Sequence, residues 1–201
     1  MAYFPNSRKD YEGVMTPFYM EPAKKDVMGY RLTNVAAGDV VLPGTPIKTD
    51  EVEKTAVVCK YAYVKDVAAD KKTLTVKGGH FLKVGNKVAV SGAATLKELT
   101  VESVDVKNDI VVLSAQSADV KAGSVLVEVA TVDGTLSAKD LPNRIVDSVA
   151  KIDELDMTCS ATHEVMVLQN VVHYPDEYLN KTAFPGSILL VGNPKIMFTI
   201  Q

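Results

Sequence analysis

Apolar residues recur along this chain in short runs broken by glycine, asparagine, aspartate and proline, and no stretch sustains a helical period. The pattern is clearest between Val67 and Thr131. Thr73–Lys77 alternates and stops at Gly78-Gly79, Val84-Gly85-Asn86 turns into Lys87–Ser91, and Leu99–Val106 reaches Asn108-Asp109 before Ile110–Leu113. After Ala122-Gly123 the chain resumes as Ser124–Val129. Five short strands with tight turns and no room for crossover helices predict a small antiparallel β-barrel or sandwich over residues 67–131.

The flanks predict a second β unit, built from 36–66 plus 132–201. Val40–Leu42 ends at Pro43-Gly44, and Ala56–Val64 reads as one strand covered on both faces. Beyond the barrel, Asp140–Val149 reads as a short helix opened by Asp140 with Pro142 in its first turn. Val165–His173 reads as a buried strand and Pro175–Lys181 as a turn or one helical pass. Ser187–Val191 and Ile196–Ile200 form a hairpin through Gly192-Asn193-Pro194. Pairing of Lys60–Val64 with the C-terminal strands would make the barrel an insertion. The predicted fold class is thus mainly β, a small barrel or sandwich inserted in or following a second β domain, with one or two short helices.

Residues 1–35 have a different texture. Tyr3, Phe4, Tyr11, Phe18 and Tyr19 interleave with Pro5, Pro17 and Pro22 without strand or helix period. Rings spaced by proline suit an extended N-terminal arm that docks on its own domain or on a neighbour; a frayed terminus is the competing reading. On the docking reading those five aromatic residues are the candidate partner-binding residues, and removing Met1–Tyr30 should leave the β domains folded.

Composition narrows the classes. With 47% hydrophobic and 23% charged residues the 201-residue chain is too apolar for disorder, and a net charge of −3 without a basic stripe points away from nucleic acid. No basic segment followed by an apolar run opens the chain, and no run is long enough to span a membrane, so no secretory signal or membrane helix is expected.

Candidate chemistry is sparse. The three histidines, His80, His163 and His173, fall in no metal-ligand spacing, and Cys59 and Cys159 read as buried free thiols. Cys159-Ser160 beside His163-Glu164 is the nearest approach to a nucleophile pair, and Asp147, Asp153, Glu154 and Asp156 form an acidic run without a calcium-loop glycine. No phosphate loop or nucleophile elbow is present, so no enzyme activity, cofactor or metal is expected. Without tryptophan a sugar-stacking face would rest on Tyr61, Tyr63, Tyr174 and Tyr178.

Three stretches carry a family resemblance. Gly38–Ile47, with its Leu42-Pro43 and Gly44-Thr45-Pro46, resembles a segment of phage head-fibre and capsid-decoration proteins. His80–Val88 resembles the opening of a small β module in such proteins, with Asn86 where an aspartate is usual. Thr100–Leu113 followed by Ala122–Leu126 resembles the rest of that module. The resemblance implies a non-catalytic virion protein of a tailed phage or prophage. It would be made in the host cytoplasm, attached to the outside of the head on the major capsid protein, and form a homo-oligomer, most often a trimer. A surface or secreted carbohydrate-binding β module is the alternative.

Overall fold

A computed structural model describes residues 17–19, 22–184 and 187–199, with the backbone alone for 182–184 and 187. The fold is mainly β, as the turn-punctuated sequence predicts. The first strands are β1 (Lys24–Lys25), β2 (Tyr30–Leu32), β3 (Val40–Val41), β4 (Pro46–Asp50) and β5 (Thr55–Val58). Then come β6 (Tyr61–Val67), β7 (Thr73–Val76), β8 (Lys87–Val90), β9 (Leu99–Asp105), β10 (Ile110–Leu113), β11 (Val125–Val132) and β12 (Thr135–Ala138).

Strands β6 to β11 close on themselves. The hydrogen-bonded order β11-β6-β7-β10-β9-β8 returns to β11 through Leu126 opposite Val90, so the module is a closed antiparallel barrel. Closure removes the sheet edges within the ring, and the period-2 pattern explains its interior. Ala62 and Val64, Leu74 and Val76, Val111 and Leu113 point inward two residues apart and are all buried. The second half of β11 leaves the ring to pair with β12 through Asp133-Gly134. Both turn residues have positive φ, 48° and 77°, which suits a tight hairpin turn.

The remaining strands are β13 (Arg144–Val146), β14 (Ala150–Lys151), β15 (Thr158–Cys159), β16 (Ala161–Leu168), β17 (Leu179–Phe184), β18 (Ser187–Leu190) and β19 (Asn193–Thr199). A one-turn helix, α1 (Gln169–Val172), follows β16, and Asp176–Tyr178 forms a 3-10 turn. The large sheet runs β15-β2-β5-β4-β13-β16-β19-β18-β17, with β1 also on β16, while β3 and β14 pair separately. Strands from before and after the barrel therefore meet directly: Arg144 and Ile145 lie opposite Ile47 and Pro46.

Four expectations are corrected. Ala56–Val64 is two strands, because the chain crosses from the large sheet into the barrel at Cys59-Lys60. Tyr61–Tyr63 pairs with Val125–Val127 of the barrel and not with the C-terminal strands, which also moves β6 out of the flanking unit. Asp140–Val149 is not a helix: Ile145 and Val146 are fully buried between β4 and β16, an environment that β-branched side chains fill well. The buried strand expected over Val165–His173 ends at Leu168, and the helix follows. At the β18–β19 turn, a Cβ on Gly192 would strike the carbonyl oxygen of Pro142, so this position has no room for a side chain.

Candidate functional site

The described part of the N-terminal arm runs antiparallel along one edge of β16. Leu168 N donates to Pro17 O at 2.8 Å, Tyr19 N to Met166 O at 3.0 Å, Ala23 N to Glu164 O at 3.0 Å and Asp26 N to Ala161 O at 2.9 Å. Phe18 forms a β-bridge opposite Val167, and its ring is 8% exposed in the core that holds Tyr174 and Phe198. Of the five aromatic candidates, Phe18 is thus an anchor to the chain's own fold, Tyr19 faces outward at 51% exposure, and Tyr3, Phe4 and Tyr11 lie outside the described residues.

The other end of this segment is tied down by charge. Asp26 accepts from Arg144 Nε at 3.0 Å through one oxygen and meets His163 Nδ1 at 2.7 Å through the other. Arg144 Nη2 also donates to Glu51 Oε1 at 2.8 Å, and Tyr30 OH donates to Asp26 and Glu51. Burial first, then these carboxylates, raise the Tyr30 hydroxyl above its ordinary range. Lys25 pairs with Asp147 at 3.2 Å. Burial alone would raise the Asp147 carboxyl, but the donors on Ser160 and Lys25 outweigh it and hold the group below the usual range. Tyr30 itself is 1% exposed, so removal of Met1–Tyr30 would strip the large sheet of core. A deletion that spares the anchored segment must end before Pro17.

A second set of contacts fastens the barrel to the sheet. Tyr61 OH donates to Val172 O at 2.7 Å, Lys77 Nζ donates to Val171 O, and Ser91 Oγ donates to Glu177 Oε2 at 2.6 Å. The Tyr63 and His173 rings stack at 4.0 Å with 16° between planes. Tyr61, Tyr174 and Tyr178 meet edge to face beneath them, with Tyr174 and Tyr178 almost fully buried. These tyrosines are joint and core residues, and they do not form a flat sugar-stacking face.

The nucleophile candidate is not assembled. Cys159 is buried, and burial followed by the Asp147 charge pushes its thiol up to about 12. His163 faces Asp26 rather than the thiol. Cys59 is likewise buried with its thiol raised, chiefly by desolvation. Among the described residues, no three His, Cys, Asp or Glu side chains converge as a metal site would require. Asp153 is spent on its own loop, accepting from Leu155 N and Asp156 N, and Asp156 accepts from Thr158.

Sequence reading missed the group at the barrel–sheet joint, Lys77, His80 and His173. They are far apart in the chain, and the Gly78-Gly79 turn gave no sign that the next residue is buried at the joint. No family model, curated protein or solved structure matches the chain.

Proposed function

We propose that the chain is a non-catalytic structural protein of a tailed-phage or prophage virion, a head fibre or decoration protein held on the outer capsid surface through its N-terminal arm. The observation that carries the reading is the docking of residues 17–19 and 22–26 on β16. Residues 1–16, with Tyr3, Phe4 and Tyr11, precede a segment that Phe18 anchors at one end and Lys25 and Asp26 at the other. A tether needs a rigid base of this kind, because rings on a loose base lose more conformational freedom on docking.

The joint through Val171–Tyr178 supports the same reading. It holds the barrel in one orientation to the sheet, as a projecting module requires. The capsid partner is the major capsid protein, and assembly is as a homo-oligomer, with a trimer as the expected state. Immunogold labelling of purified virions with an antibody against this chain tests the proposal. Gold on the heads is the expected result, and virions free of the chain would overturn it.

A further inference from the structure

Where the barrel meets the large sheet, a partly open cavity of about 80 Å³ is walled by Leu42, Pro43, Pro46, Phe81 and Val172, with Lys77 and His80 as its polar side chains of interest. That volume has room for several waters or a ligand of a few non-hydrogen atoms. His80 is only 6% exposed. Its Nδ1 accepts a hydrogen bond from Leu82 N at 3.0 Å, which places the proton of the neutral ring on Nε2. Burial keeps the ring neutral by lowering its pKa, against an opposing pull from Asp109. Nε2–H has no hydrogen-bond partner among the described residues, yet it is not sealed from a water-sized probe. A donor open to the cavity in this way can serve an acceptor that enters it.

Lys77 sets the charge of that acceptor. Its Nζ donates to the carbonyl of Val171 but meets no carboxylate among the described residues, and Lys65 adds further positive charge nearby. A half-buried cation without a carboxylate partner lines the same cavity as that N–H donor and favours a small anion there, and the proline, leucine and phenylalanine walls favour one with an apolar body. The loop that builds this wall is itself held in an uncommon conformation, with Phe81 at φ 55° and its ring packed toward the large sheet.

We propose that this cavity binds a small aliphatic carboxylate, which accepts from His80 Nε2 and balances the charge of Lys77. The ligand is small, so the affinity is weak, in the millimolar range. Occupancy would bridge the barrel wall and the segment that follows β16, stiffening the joint.

Nitrogen-edited NMR spectra of the whole chain, titrated with propionate at constant ionic strength and with propionamide as neutral isostere, test the site. The expected result is saturable shifts at the His80 imidazole and the amides of Gly79 and Phe81, with propionate favoured over propionamide. His80→Asn places an oxygen where Nδ1 accepts from Leu82 and removes Nε2–H, leaving only a shorter amide N–H in its place. It should weaken propionate roughly tenfold or more, the loss of one charge-assisted hydrogen bond. Lys77→Met should erase the preference for propionate. Should His80→Asn fail to fold, Leu42→Phe fills the cavity from its wall and must abolish the shifts. Absence of saturable shifts, undiminished binding to His80→Asn, a retained preference in Lys77→Met, or shifts that persist in Leu42→Phe would each overturn the proposal.

Discussion

Phe18 lies opposite Val167 in a single antiparallel bridge, flanked by backbone hydrogen bonds from Leu168 to Pro17 and from Tyr19 to Met166. This one buried ring anchors the start of the described segment to the fold. Phe18→Ala should cost about 3 kcal/mol in chemical denaturation, the low end for removing a buried phenylalanine. Hydrogen exchange should speed up at Tyr19 and Leu168 while the barrel amides remain protected. Unchanged exchange at those two amides would show that the arm is held without the ring.

Arg144 joins the arm to two other elements, reaching Asp26 and Glu51. Arg144→Met keeps the aliphatic stem but leaves Asp26 without its guanidinium. The expected destabilisation is about 2 kcal/mol, the scale of a hydrogen bond to a partly buried charged group. Most of it should vanish in a double-mutant cycle with Asp26→Asn, whereas Glu51, nearly half exposed, should couple weakly.

Much of the barrel was legible because its turns are written in glycine, asparagine and aspartate and its interior in residues two apart. The crossing at Cys59-Lys60 was not. Apolar residues continue through Val57, Val58, Cys59, Tyr61 and Ala62, and the chain changes sheets with no glycine or proline to mark it. Asp140 and Pro142 imitate a helix start, yet Ile145 and Val146 are drawn into the slot between β4 and β16, so tertiary pairing overrides the local signal. Helix α1 escaped notice because Gln169-Asn170 lies inside an apolar stretch, and it ends in His173 at φ 53°, a conformation the sequence does not announce. The cavity residues were invisible for a plainer reason: only folding brings Lys77 and His80 to Val171.

The two cysteines should be inert in the folded protein. Thiol reactivity follows the thiolate fraction and access, and both are suppressed at Cys59 and Cys159. Labelling with a water-soluble maleimide at neutral pH should be negligible in buffer and reach both thiols in denaturant. Rapid labelling of Cys159 in buffer would contradict its burial.

Stability should fall as solutions are made acidic. Burial, then Lys77, lowers the His173 pKa, and burial lowers that of His80, so both sit below the ordinary 6.5 when folded. Below that pH the unfolded chain binds protons that the folded chain refuses. The contribution is therefore present above about 6.5 and is lost as pH falls toward the folded values. Urea midpoints measured across this window should decline. His173→Asn, which tolerates a left-handed backbone, should flatten the decline. A slope unaffected by both His173→Asn and His80→Asn would refute the assignment.

The proposed function puts attachment in residues 1–16, while the described residues from Pro17 onward form the folded body. Cosedimentation of the chain with capsids that lack it, comparing the full sequence with a deletion of residues 2–16, tests this most directly. The full chain is expected to pellet with capsids and the shortened chain to stay in solution with an unchanged unfolding midpoint. Undiminished pelleting of the shortened chain would contradict it.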